Sequence, residues 1–254
     1  MRKMGIGLQM YTVRDETAKD FRGVLRKVAE LGYEGVEFAG YGDVPAEEMS
    51  SLLKELNLQA IGSHVGYNLL RDNLDAEIEY LKQIGAKYIV CPFIAQEDRK
   101  DWRQHFEFFT MVAEKARQHG LHFAYHNHAF EFEERVGDQF VFDALYDALS
   151  PDLAKVEMDL GWVQFAGQDP LAYIDKYRGR LPLLHLKDFR AAEDGTIDTL
   201  ELGHGIMQLP EVIQAASDAD VEWLIVEQDK CARPSLESIS ISIQWLQENY
   251  LTRI

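Results

Sequence analysis

Cysteine is nearly missing from this chain. Cys91 and Cys231 stand far apart among 254 residues, with no C-x-x-C between them. That excludes a disulfide framework and a zinc–thiolate site, and it fits a reducing cytoplasm as the expected compartment. Positive charge is also scarce. Lys and Arg number 26 against 43 Asp and Glu, a formal net charge of −17, and no basic run occurs. An acidic surface repels phosphate backbones, so no nucleic-acid partner is expected, and the charge serves solubility. No apolar run approaches ~20 residues, so no membrane span is expected. The start, MRKMGIGLQMYTV, follows charge with apolar residues. Two glycines and a glutamine interrupt it and no small-residue cleavage site follows, so a secretory signal is not expected. Linkers and low-complexity stretches are absent as well.

What is present is a repeat of strand and helix. The chain is 46% hydrophobic, enough for a full core. Three junctions, VAELGYEGVEF, LKQIGAKYIVCP and KARQHGLHFAYH, each close a helix, place Gly32, Gly85 or Gly120, and open a strand. A fourth, LKELNLQAIGSH, uses Asn57. Glycine and asparagine there fit left-handed C-caps. Phe21, Val24, Leu25, Val28 and Ala29 form one helical stripe; Leu74, Ile78 and Leu81 a second; Trp102, Phe106, Phe109, Ala113 and Ala116 a third. Between them lie eight short apolar segments: GIGLQMY, GVEFAGY, LQAIGSH, YIVCPF, HFAYHNH, KVEMDLGW, LPLLHLKD and EWLIVEQ. Near-continuous apolar runs mark strands covered on both faces. Eight strands alternating with helices predict a single (β/α)₈ TIM barrel over residues 1–254. An open doubly wound sheet would carry a G-x-G-x-x-G after its first strand, and this chain has MYTVRDET instead.

Active sites of such barrels form at the C-terminal ends of the strands. Those ends carry Glu37, Ser63 and His64, His126 and His128, Glu157 and Asp159, His185 and Lys187, and Glu227. Period-two alternation puts His126 with His128, Glu157 with Asp159, and His185 with Lys187 on shared faces. Two histidines, an aspartate and a glutamate then converge from strands five to eight. Mixed nitrogen and oxygen donors suit Mn²⁺, Zn²⁺, Co²⁺ or Fe²⁺ in a catalytic site. Against this, a strand-end histidine is more often simply hydrogen-bonded. Glu157 reads equally as a deeper hydrogen-bonding partner, and Glu37 as a partner of Arg14 or Lys3. His122, at the start of its strand, is expected to be structural.

GLQMYTVRD, ELGYEGVEFAGY, AYHNHAFEF, EMDLGWVQFAG, LLHLKDF and IVEQD, one per strand end, together resemble the xylose isomerase-like TIM-barrel superfamily. They are most similar to its sugar phosphate isomerase/epimerase branch, over roughly residues 5 to 250. The resemblance implies one divalent metal ion, Mn²⁺ first, held by Glu, Asp, His and Glu. By position these are Asp159, His185 and Glu227, with His126 standing where the first glutamate is expected. Trp162 replaces a substrate-binding histidine of many members. The implied chemistry is proton abstraction α to a carbonyl, with Glu227 and His126 as acid–base groups, or Glu131 swinging in as a replacement base. His64, His128, Trp162, Lys187, Arg190 and Glu37 are the expected substrate contacts, with Tyr67 beside them. The turn LGHGIMQLP reads more as a plain glycine-rich connection than as a phosphate site.

The leading expectation is therefore a metal-dependent isomerase or epimerase of a keto-sugar, polyol or related small carbohydrate. The loss of one glutamate makes a keto-sugar or keto-glycoside lyase or dehydratase, of the inosose dehydratase kind, the serious alternative. A phosphoesterase of the AP-endonuclease type and a non-catalytic sugar-binding protein stand further back. Partners are expected to be small carbohydrates, and the sequence is compatible with a homo-oligomer.

Overall fold

A computed structural model describes residues 1–253. Its centre is a closed barrel of eight parallel strands: β1 Gly5–Gln9, β2 Gly35–Phe38, β3 Gln59–His64, β4 Tyr88–Cys91, β5 His122–His126, β6 Ala154–Asp159, β7 Leu183–Leu186 and β8 Trp223–Val226. Each strand pairs with its sequence neighbours, and β8 closes on β1 through Gly5↔Trp223 to Leu8↔Val226. The expected (β/α)₈ architecture is the observed one.

The helix stripes explain the outer layer. Phe21, Val24, Leu25 and Val28 of helix Arg14–Leu31 are buried, as are Leu74, Ile78 and Leu81 of Leu74–Ile84. In helix Trp102–Gln118, Phe109 stacks on Phe123 of β5 at 5.2 Å between centroids. Gly32, Asn57 and Gly85 cap their helices in the left-handed conformation. Gly120 also has positive φ, but it follows the cap residue His119 rather than being the cap.

Alternation inside the barrel positions the site. Ile61, Tyr88, Val90, Ala124, Leu183, Trp223 and Ile225 fill the lower interior as an apolar plug separate from the outer core. Two residues further along, the same inward rows become polar: Ala124 leads to His126, Leu183 to His185, and Ile225 to Glu227. The intervening Tyr125, Leu184 and Val226 point into the outer core. One strand thus supplies both packing and chemistry, separated only by depth.

Two antiparallel ribbons sit outside the barrel, Asp188–Ala191 with Ile197–Leu200, and Arg135–Val136 with Gln139–Phe140. The first follows β7 directly and was not among the eight predicted segments. Its Asp194-Gly195 turn is the signal that marks it. Among the described residues, no helix is long and apolar enough to cross a membrane.

Candidate metal centre and active site

The barrel mouth gathers a dense polar cluster. His126, Asp159, His185 and Glu227, all buried, each offer a ligand atom within 4.8 Å of the others. These are the four residues expected from strands five to eight. A second group, His64, His126, Glu157 and His185, meets the same limit and shares two histidines with the first. The groups use opposite nitrogens of His126: Nδ1 lies 3.2 Å from Glu157 Oε1, while Nε2 faces Asp159 Oδ2 and Glu227 Oε2 at 4.0 Å each.

Register separates the layers. Asp159 is level with His185, while Glu157 is level with His126 and Leu183, one layer deeper. Glu157 Oε1 receives His64 Nε2 at 2.6 Å and lies 3.3 Å from His185 Nε2. It is the buried hydrogen-bonding partner of the alternative reading, and a candidate ligand as well. Glu37 pairs with neither Arg14 nor Lys3. Its Oε2 accepts from Gln9 Nε2 and lies 2.8 Å from His185 Nε2, fully buried beneath the cavity. Glu37 is thus a support of the cluster rather than a substrate contact.

Lys187 departs from expectation too. It is 0% exposed, with Nζ 2.7 Å from Asp229 Oδ2, 2.8 Å from Asp159 Oδ2 and 3.1 Å from Glu227 Oε2. At these distances the ammonium and the carboxylates make charge-assisted contacts. Its charge holds the carboxylates in place. Arg190 is carried away on the ribbon, its side chain 64% exposed and paired with Asp198. Tyr67 packs on Phe108 and hydrogen-bonds His105, away from the mouth. Glu131 is turned to the outside of the barrel: Oε1 accepts from the Tyr125 hydroxyl at 2.7 Å and Oε2 from the His128 amide at 2.8 Å. Burial pushes its pKa up to about 8. The structure does not bring Glu131 to the cluster, so the expectation of a replacement base there is corrected. His122 lies at the other end of β5, as expected.

A cavity of about 320 Å³ opens above the cluster, lined by His64, Phe93, His126, His128, Glu227 and Asp229 among others. Asn127 is absent from the expected site residues, and Asp229, which follows Glu227 at the end of the eighth strand, carries no expected role. Asn127 clamps the backbone of Asp159 in both directions, donating to its carbonyl at 3.1 Å and accepting its amide at 2.9 Å. Its place between two histidines in YHNH was the available signal. Asp159 Oδ1 meanwhile caps the helix Leu160–Phe165 through the Trp162 amide.

The electrostatics fit a cation. Five carboxylates, of Glu37, Glu157, Asp159, Glu227 and Asp229, share one lysine and three imidazoles. Buried Glu37 Oε1 and Glu157 Oε2 have no hydrogen-bond partner, an arrangement that costs energy unless a cation completes it. Burial, then Glu157, raises Glu37 to about 7, and burial raises Asp159 to about 6 despite Lys187. Burial would also raise Glu227, but Lys187 and His185 outweigh it and hold it well below its ordinary value. Burial lowers His126 to about 3, leaving a neutral ring with a free lone pair. His185 behaves oppositely. Burial would lower it, yet Glu157, Glu227 and Glu37 together hold it well above its ordinary value. The metal-free ring therefore carries a proton near neutrality, and ligation must displace it. Mn²⁺ binding is expected to release about one proton and to strengthen as pH rises. Calorimetric titration in buffers of different ionisation enthalpy checks this, and a buffer-independent heat would contradict it.

The glycine-rich turn is occupied from within. The Asp188 carboxylate accepts the amides of Phe189, Gly203, Gly205 and Met207 at 2.9–3.1 Å. A Cβ on Gly205 would lie 2.1 Å from Asp188 Oδ1, so only glycine permits this approach. These donors are therefore spent on an internal anion, and the turn is a structural connection. Asp188→Ala, which strands several buried amides, is expected to cost about 3 kcal/mol or more in chemical denaturation.

The sequence pattern of the family described as Xylose isomerase-like TIM barrel matches residues 25–249. Inosose dehydratase 1 of Bacillus cereus is 25% identical over 83% of this chain and 82% of its own length. The match to inosose dehydratase 2 of the same strain spans only 48% of that protein. Among solved structures, a sugar phosphate isomerase/epimerase from Parabacteroides distasonis superposes with a TM-score of 0.81 at 22% identity, over 97% of this chain and 98% of that one. IolI protein, solved with a bound zinc atom, superposes with a TM-score of 0.80 at 13% identity, over 99% of each chain. At these identities the solved structures speak for the fold alone.

Proposed function

The chain belongs to the xylose isomerase-like TIM barrel family, and from that premise we propose that it is a metal-dependent lyase of the dehydratase kind, acting on a keto-sugar or keto-cyclitol. The observation that carries this reading is the make-up of the cavity wall. A single glutamate, Glu227, faces imidazoles of His64, His126 and His128, and the wall's other carboxylate, Asp229, is held by Lys187 at 2.7 Å. Symmetric epimerisation needs matched bases on the two faces of one carbon. Elimination needs one base and one acid. The sequence relationship to inosose dehydratases over most of the chain supports the same choice.

His126, Asp159, His185 and Glu227 would hold the ion. A bound Mn²⁺ or Zn²⁺ supplies Lewis-acid polarisation of the ketone oxygen. The remaining chemistry belongs to the side chains. Glu227 takes the proton from the carbon α to the ketone, and Lys187 keeps that carboxylate anionic and fixed. His64, held through Nε2 by Glu157, donates to the departing oxygen. Asn127 fixes the Asp159 backbone so that donor spacing does not drift.

The isomerase reading, the leading expectation from the sequence, shares the first step. Incubation of the Mn²⁺-loaded protein in D₂O with a panel of keto-cyclitols and keto-sugars separates them. Lyase chemistry gives deuterium exchange α to the ketone together with a conjugated enone absorbance. A stereoisomer without enone would favour isomerisation, and absence of exchange across the panel would overturn both.

A further inference from the structure

Beneath the outer donor group, Glu37 and Glu157 form a second layer whose charge the first ion does not balance. Asp159, Glu227 and Asp229 surround Lys187. One divalent ion on the outer group therefore brings three positive charges, lysine included, to three carboxylates. Glu37 and Glu157 lie outside that balance. Both are fully buried, and among the described residues only histidines pair with them as cations. His126 and His185 must be neutral to ligate the outer ion. A protonated His64 then supplies one charge against two, and a buried carboxylate left without a counter-charge is costly. A second divalent ion supplies both charges.

The donors for it are in place. His64 Nε2 lies 2.6 Å from Glu157 Oε1 and 3.4 Å from Glu37 Oε2. Donors around a four-coordinate Zn²⁺, with bonds of about 2.0 Å, stand about 3.3 Å apart. The two shared rings are already turned to serve both layers. His126 presents Nε2 to the outer carboxylates and Nδ1 to Glu157 at 3.2 Å. His185 presents Nδ1 to Glu227 at 2.9 Å and Nε2 to Glu37 at 2.8 Å. Each can ligate the outer ion through one nitrogen and donate the other N–H to an inner carboxylate. That engages Glu157 Oε1 and Glu37 Oε2. Their second oxygens, Glu157 Oε2 and Glu37 Oε1, are buried without a partner and remain as donors. We propose that His64, Glu37 and Glu157 form a second divalent-cation site of the Zn²⁺ or Co²⁺ type, one layer beneath the first. His64 lines the cavity, which gives an ion its way in. With Nε2 on the ion, the His64 proton is confined to Nδ1, so the ring facing the cavity keeps one tautomer. The contact between His64 and Glu157 must open for the ion to enter, so the inner ion is the more weakly held and leaves on dialysis. The site stands whichever reaction the cavity performs.

The test is equilibrium dialysis of the metal-free full chain against rising free Co²⁺, with the visible spectrum recorded at each step. The parent is expected to take up two ions in two steps, the second adding its own absorption band. Glu37→Gln and Glu157→Gln, each near-isosteric, should take up one ion and show only the first band, and that first step is also the check that the barrel is folded. Asp159→Asn should do the converse, losing the first step and keeping the second. One ion per chain at saturating Co²⁺ in the parent would overturn the site. So would two ions in both glutamine variants, which would put the second ion elsewhere. A parent that binds one ion, with Glu157→Gln merely weakening it, would reduce the inner glutamates to hydrogen-bonding partners of the outer ligands.

Discussion

Asp159→Asn is expected to strip the ion from the protein while leaving the barrel folded. The substitution keeps Oδ1, which accepts the Trp162 amide at 2.9 Å and starts the helix Leu160–Phe165. It removes the charge and the Oδ2 oxygen, which is buried 2.8 Å from Lys187 Nζ and 4.0 Å from His126 Nε2. Losing even an outer-shell partner weakens metal affinity about 10–100-fold, and an inner donor should cost at least ~100-fold. Metal analysis after dialysis should fall from about one ion per chain to less than about 0.1, with the far-ultraviolet spectrum unchanged. Glu157→Gln discriminates the two overlapping donor groups, because Glu157 sits one layer below Asp159. That variant should retain the ion if His126, Asp159, His185 and Glu227 hold it. Full occupancy in Asp159→Asn would place the ion elsewhere.

Lys187→Met should be the most destabilising single change at the mouth. The lysine is fully buried within 3.1 Å of Asp159, Glu227 and Asp229. Methionine keeps much of the stem volume but leaves three carboxylates facing one another without their cation. Removing one partner of a buried ion pair costs about 3–5 kcal/mol. At about 2–4 °C per kcal/mol for a chain of this size, Tm should fall by roughly 10 °C. Added Mn²⁺ should restore more stability to the variant than to the parent, because a divalent ion among the same carboxylates replaces the lost charge. A variant as stable as the parent without metal would mean that the carboxylates accept protons at little cost.

The sequence by itself determined the barrel and most of the residues at its mouth. Strand and helix periodicities are local properties, and so are the left-handed caps at Gly32, Asn57 and Gly85. Once eight strands close, alternation forces the residue two beyond Ala124, Leu183 or Ile225 to face the same interior, so His126, His185 and Glu227 converge without further information.

Tertiary structure decided what each charge meets. Glu131 follows β5 closely in the chain, but Tyr125 points outward and its hydroxyl captures the carboxylate. Arg190 sits three residues beyond Lys187, yet the ribbon carries it into solvent while Lys187 turns inward. Asp188 between them folds into the Gly203–Met207 turn and fills the amide nest that a phosphate would have used. Glu37 and Glu157 lie one level beneath the cavity because of strand register, which no single segment encodes. Alternation follows from one strand's own pleat and is legible along the chain. The pairing of buried charges depends on register across neighbouring strands and on loops from distant ones, and it exists only once the barrel has closed.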